Sequence, residues 1–237
     1  MGMANTTTDA SGWIAGLLQT ADSFYPTGAY AHSFGLEGLV QSGAVRDRAT
    51  LQAFIIGQAL PALARTDLPI AAHAWAAAGD PPDWDRLRTL CFLGAAVRGS
   101  RELREASESI GHQRIALAAR LHGGVAAEFA RRAREEGWPA SQGLAAAIEG
   151  RANGAPCEAV LVGAVYSTAA GLVAAAIKLL RLGQNAAQAI LREALSGAPA
   201  LVASALAVGP VDIGSYNPWW DIASSRHETA DGRLFIS

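Results

Sequence analysis

Five histidines, two cysteines and one lysine are the side chains best suited here to metal, nucleophilic or phosphate chemistry, and their spacing argues against each in turn. His32, His73, His112, His122 and His227 lie too far apart for HExxH or HxH spacing, which places two imidazoles on one metal. His227-Glu228-Thr229-Ala230-Asp231 starts like a zinc-protease helix but has Asp where the second His is needed. No metal ligand is assigned. Cys91 and Cys157 have no CxxC partner, which reads as reduced, buried thiols. Lys178 is the lone lysine beside eighteen arginines; it lies between Ile177 and Leu179, so the Gly-Lys-Ser/Thr of a phosphate-binding loop is absent. No two of the 25 glycines are spaced GxG, which removes the dinucleotide and kinase loops. Gly12/Gly16 and Gly150/Gly154 enclose Ile14 and Ala152, not the serine of a nucleophile elbow. Asp22 and Glu37 could pair for acid–base work only if a cleft joined them. No catalytic residue is assigned, and the expectation is a binding or scaffold protein rather than an enzyme.

The elements behind these residues are set by composition. Of 237 residues, 51% are hydrophobic and 17% charged, against about 25% charged in an average domain. Such a chain folds, and is long enough to bury a core without disulfides or metal. Its apolar residues are mostly Ala, Leu and Val, closely packing helix formers, which predicts an all-α protein. A net charge of -2 with no block of like charges offers no footprint for nucleic acid. The start lacks a basic region followed by an apolar run, so a cytoplasmic location is expected and residues 1–12 read as a flexible tail.

Punctuators divide the rest into helices. Ser33 can cap a helix ending at Gly43; Asp47 caps the next, which Pro61 is expected to break; a third runs from Asp67 to Ala78. Asp83 caps a helix bearing Leu87, Leu90 and Val97. Further on, Arg101/Glu105 and Arg104/Glu108 are spaced for intrahelical ion pairs. More helices are expected over 125–136, 158–182, 184–196, 199–207 and 219–229. Ala159–Ile177 is uncharged and nearly long enough to span a membrane, but its alanines, glycines and Tyr166-Ser167-Thr168 favour a buried central helix. Gly163, Ser167, Gly171 and Ala175 form a small-residue ridge that another helix can approach. No strand is expected. No linker divides the chain, so one domain of about 8–11 helices is the reading, spanning 13–220.

Four segments carry a resemblance to a known family. Leu17-Leu18-Gln19-Thr20-Ala21-Asp22-Ser23-Phe24-Tyr25-Pro26-Thr27-Gly28-Ala29-Tyr30-Ala31-His32-Ser33-Phe34-Gly35-Leu36-Glu37 resembles the N-terminal signature of the urease accessory protein F (UreF) family. Asp221-Ile222-Ala223-Ser224-Ser225-Arg226-His227-Glu228 and Arg233-Leu234-Phe235-Ile236-Ser237 resemble its C-terminal signature. Arg101–Ser107 and Leu182–Gln188 resemble two internal motifs in the expected order. Where the family usually reads Arg-Leu-Ile/Leu-Pro-Leu-Gly-Gln, this chain has Lys178-Leu179-Leu180-Arg181-Leu182-Gly183-Gln184, with Arg181 in place of the proline. The resemblance implies an all-α, cytoplasmic, dimeric chaperone that helps to load nickel into apo-urease, binds the accessory protein UreD (UreH) and recruits the GTPase UreG. No tightly bound cofactor is implied, and nickel passes at most transiently. The candidate partner-binding residues are Tyr30, His32 and Glu37 in the first motif, Lys178, Gln184 and Gln188 in the middle, and Arg226, His227, Glu228, Arg233 and Phe235 near the end. Residues 221–237 mix charged and apolar groups and read as a docking segment, loose in the isolated chain and ordered on a partner. The alternative is a diverged helical adaptor of the same type without a urease role.

Overall fold

The structure, a computed structural model, describes residues 9–228, 230 and 232–237, with side chains from Gly12 onward. The expected tail over 1–12 and Thr229 and Asp231 of the zinc-protease-like stretch fall wholly or largely outside the described residues. The described chain is all-α: α1 (Asp9–Ala21), α2 (Leu36–Gln41), α3 (Arg48–Phe54), α4 (Leu60–Arg65), α5 (Asp67–Ala77), α6 (Trp84–Ala96), α7 (Arg101–His122), α8 (Gly124–Glu136), α9 (Gln142–Ala152), α10 (Cys157–Leu179), α11 (Gln184–Ser196), α12 (Ala198–Leu206) and α13 (Pro218–His227).

Local chemistry explains several boundaries. Asp47 caps α3 through a reciprocal box with Thr50, and Asp83 caps α6 by accepting the Arg86 amide. Pro61 does not end its helix as expected. A π turn over Ile55–Ala59 re-registers the backbone just ahead of it, so the proline falls in the first turn of α4, where its missing N–H leaves no bond unmade. Arg101 does not rely on Glu105 one turn on; it reaches across to Glu228 beyond α13.

The buried centre is α9, not α10. Every residue from Gly143 to Gly150 is buried, with α5 on one side and α7 on the other, and α10 also in contact. Sequence periodicity passed over α9 because a helix buried all round has no polar stripe to mark it. Helix α10 is half in: Leu161, Val165, Ala169, Leu172 and Ala176 pack inward, while Val162, Tyr166 and Lys178 are exposed. Both Cys157–Leu179 and Gln184–Leu206 are long and apolar enough to cross a membrane, yet each buries one face in this helical core. The ridge of small residues on α10 is not sealed by a helix along its length. A Cβ built at Gly163 would lie 4.0 Å from Leu17 Cδ2 of α1, and nothing among the described residues lies within 4 Å of one built at Gly171.

Residues 221–237 also differ from expectation. Rather than hanging loose, the described ones pack back on the chain: α13 lies against α2 and α7, and Phe235 and Ser237 are buried.

Candidate functional site

The N-terminal motif is a folded loop before it is a helix. Asp22 accepts the Phe24 amide at 2.7 Å, and Gly28 turns the chain with φ +78° into a short 3-10 turn over Ala29–Ala31. Phe34 and Gly35 are both left-handed, with φ of 53° and 81°, and lead into α2. Glycine serves two purposes at this junction. A Cβ on Gly35 would lie 2.2 Å from Ser224 Oγ, and one on Gly38 would lie 2.4 Å from the Ala223 carbonyl oxygen. The two glycines therefore let α13 press directly on α2. Trp220 completes the junction: its Nε1 donates to the Phe34 carbonyl at 2.9 Å, and its ring meets Phe54 edge-on at 5.3 Å.

That close packing brings the two terminal motifs into one polar clasp. Glu37 accepts the amides of Leu234 at 2.8 Å and Phe235 at 3.0 Å, and its Oε2 lies 2.9 Å from His227 Nε2. The other ring nitrogen, Nδ1, lies 3.1 Å from Glu102 Oε2, and Arg233 Nη1 donates to Glu102 Oε1 at 3.0 Å. Nearby, the Ser33 amide and hydroxyl both donate to the Ser237 carbonyl, at 2.5 and 2.8 Å, and His32 Nδ1 lies 2.7 Å from Ser237 Oγ. Ser33 Oγ also accepts the Glu37 amide at 3.2 Å, but the N-cap of α2 is Gly35 rather than Ser33 as expected.

The electrostatics follow from these bonds. Burial pushes the Glu37 carboxyl up, but the amides of Leu234 and Phe235 and the imidazole of His227 outweigh it and hold the group below the ordinary value near 4.5. Burial lowers His32, with Glu102 opposing, so His32 favours its neutral form. Among the described residues no group of His, Cys, Asp and Glu side chains is arranged to hold a metal ion. The clasp shows why: the two nitrogens of His227 diverge, so Glu37 and Glu102 lie on opposite sides of the ring and cannot share an ion with it. The thiols are equally unpromising as nucleophiles, since burial pushes Cys91 up to about 12 and also raises Cys157.

Beside the clasp, three residues singled out in the sequence meet. Lys178 Nζ sits 3.4 Å from the centre of the Tyr30 ring and 5.0 Å from that of Phe235, joining the first motif, the end of α10 and the C-terminal segment. They are among the residues that line a groove of about 720 Å³, together with parts of the N-terminal motif, α9 and α10. Tyr25 and Glu149 lie in its wall. The Tyr25 hydroxyl donates to Glu149 Oε1, Arg114 Nε donates to Oε2 at 2.6 Å, and the Arg114 guanidinium stands 5.7 Å from the centre of the Tyr25 ring. Burial first, then the bond to Glu149, raises the Tyr25 hydroxyl well above its usual range. With both carboxylate oxygens engaged, this group is a structural joint rather than an acid or base poised for work.

The structure thus brings together Tyr30, His32, Glu37, Lys178, His227, Glu228, Arg233 and Phe235. Gln184 and Gln188 are exposed on α11, apart from the clasp, and Arg226 is exposed on α13. Asp22 and Glu37 are not a catalytic pair, since Asp22 is exposed and spends an oxygen on its own loop. Sequence reasoning missed Tyr25, Arg114, Glu149, Glu102 and Trp220. A single carboxylate inside the alanine-rich run Leu144–Gly150 was the available signal, because a charge among buried small residues needs a partner.

Comparison with known proteins agrees with this architecture. The family model for UreF matches residues 45–195. The urease accessory protein UreF of Methylibium petroleiphilum is 34% identical over 224 residues, covering 94% of each chain. That of Paenarthrobacter aurescens is 31% identical over 226 residues, covering 93% of this chain and 96% of its own. A bifunctional urease accessory protein UreEF of Bordetella bronchiseptica is 34% identical over 237 residues, covering 96% of this chain but 52% of that longer protein. With a helical fold, two joined terminal motifs and relatives matched nearly end to end, the chain belongs to the UreF family of urease accessory proteins, which serve urease maturation and are not enzymes.

Proposed function

We propose that this chain is a scaffold for nickel-centre assembly in apo-urease, and that it binds the accessory protein UreD (UreH) and recruits or modulates the GTPase UreG. The observation that carries this reading is the meeting of the N- and C-terminal motifs: residues about two hundred positions apart form one surface. On that surface Glu37, His227 and Phe235 are buried fasteners, whereas Tyr30, Leu234 and Ile236 are 66%, 62% and 64% exposed. Large apolar groups held outward by a built polar frame fit a protein interface. In this proposal UreD (UreH) takes the face carrying Tyr30, Arg233 and Leu234, and UreG takes a face including Lys178, Gln184 and Gln188. Nickel passes without a resident site, the chain works as a homodimer, and the assembly is cytoplasmic. The bifunctional relative named UreEF extends the proposal to a second accessory protein in the same complex.

The test is co-expression of urease subunits and the other accessory proteins with and without this chain. Higher bound nickel and urease activity with the chain is expected; equal nickel loading defeats the reading. Deleting residues 230–237 should reduce co-purification with UreD, and undiminished recovery would remove the C-terminal segment from the interface.

A further inference from the structure

We propose that His227 makes the C-terminal clasp a proton-operated latch, closed while the imidazole carries both ring protons between Glu37 and Glu102 and released when it loses one. The inference is independent of which partner, if any, the segment meets.

The argument starts from donors and acceptors. Each ring nitrogen faces a carboxylate oxygen, at 2.9 Å for Nε2 and 3.1 Å for Nδ1. An ionised carboxylate only accepts, so both nitrogens must donate, and only the imidazolium has two N–H groups. A neutral ring would turn a lone pair toward one carboxylate. Water cannot repair that mismatch, because the His227 side chain is fully buried and those of Glu37 and Glu102 are 5% and 12% exposed.

Charge balance leads to the same conclusion. The groups facing His227 are Glu37 from α2 and Glu102 from the first turn of α7, with Arg233 of the C-terminal segment on the second oxygen of Glu102. His32 also senses Glu102, but burial disfavours its charged form, so it does not supply the missing cation. Arg101 and Glu228 pair with each other at the edge, and Arg226 is exposed on α13. Among the described groups in this hydrogen-bonded set, a charged His227 gives two anions and two cations; a neutral one leaves Glu37 and Glu102 against Arg233. The cheapest relief is to let Glu37 reach water, which frees the amides of Leu234 and Phe235 and draws Phe235 away from Lys178. Removing one ring proton therefore favours the open form.

The test is amide hydrogen exchange on the full chain at several values from about pH 6 to about pH 8.5, bracketing ordinary histidine titration, with rates corrected for intrinsic base catalysis. Protection at Leu234 and Phe235 should fall roughly tenfold to a hundredfold across that range, the loss of one charge-assisted hydrogen bond. Protection in α9 should not change. In His227→Gln the carboxamide has no proton to lose, so protection should be lower and independent of pH. Imidazole ¹⁵N shifts of the wild type provide a second readout and decide the matter even if the variant fails to fold. They should show an imidazolium at pH 6 whose loss tracks the loss of protection. A neutral ring in the closed form, flat protection in the wild type, or parallel loss in wild type and variant would overturn the latch.

Discussion

Glu149 and Glu37 are both buried carboxylates, 1% and 4% exposed, and each ties a loop or segment to the helical body. Their partners differ. Glu149 is held by Arg114, which stays charged at every accessible pH, and by the Tyr25 hydroxyl; this joint binds α7 and α9 to the N-terminal motif. Glu37 is held by His227, an imidazole that in the proposed latch can lose its charge, and by two backbone amides of the last few residues. The same ionised group therefore makes a permanent joint in the core and a conditional one at the clasp. The difference lies in the cation and in how much of the surrounding structure must move for water to enter.

The comparison breaks first if the core joint proves weak. Glu149→Ala leaves Arg114 buried without its counter-charge and is expected to lower stability by about 3–5 kcal/mol. Equilibrium denaturation measures it, with Tyr25→Phe as the milder variant at about 1 kcal/mol. A loss under about 1 kcal/mol for Glu149→Ala would mean that this joint, like the clasp, opens readily.

Glu37→Gln is the matching change at the clasp, expected to cost about 1–3 kcal/mol and to act mainly on the C-terminal segment. The two joints should also part on titration. The Glu37 carboxyl is lowered in the folded protein, so on the acid side its contribution is complete above the ordinary value near 4.5, until the proposed latch opens at higher pH, and disappears as pH falls through the lowered one. The Tyr25 hydroxyl is raised, so its contribution is complete below the ordinary value of 10.0 and is lost only as pH climbs beyond it. The stability gap between wild type and Glu37→Gln should therefore shrink in acid, while the gap to Tyr25→Phe should narrow only in strong alkali. Gaps that change together would erase the contrast.

How far the sequence foretold these two sites follows from the same physics. The all-α class was legible in the alanine, leucine and valine bulk, and the caps at Asp47 and Asp83 in their residue types. Clasp residues such as Glu37, His227 and Phe235 were found because they lie in motifs shared with relatives, but nothing local says that Glu37 bonds to a histidine 190 positions away. Packing decides that, through close approaches such as Gly38 against Ala223. The core joint was missed for the opposite reason. Helix α9 is buried on every side and so lacks the alternation that marks a helix, while Arg114 looks like one more solvated charge among the many on α7. The looseness expected at the C-terminal segment came from composition, which sees Arg233 and Leu234 side by side but not Glu102, which accepts from the Arg233 guanidinium, or Glu37, which accepts the Leu234 amide.

The smallest expected effect tests whether the clasp has a fastener that does not titrate near neutrality. Lys178 lies over Tyr30 and Phe235, but Tyr30 is 66% exposed, so solvent weakens the attraction. Lys178→Met keeps the apolar stem and removes the charge, and about 0.5–1 kcal/mol should be lost. A double-mutant cycle with Tyr30→Leu separates that contact from general packing, and coupling of about 0.5 kcal/mol is expected. Coupling that persists at pH 8.5, where the proposed His227 bridge has opened, would show that the aromatic contact holds Phe235 by itself. Coupling that vanishes there would place Lys178 downstream of His227, with the cation–π pair forming only after the carboxylate bridge has set the segment in place.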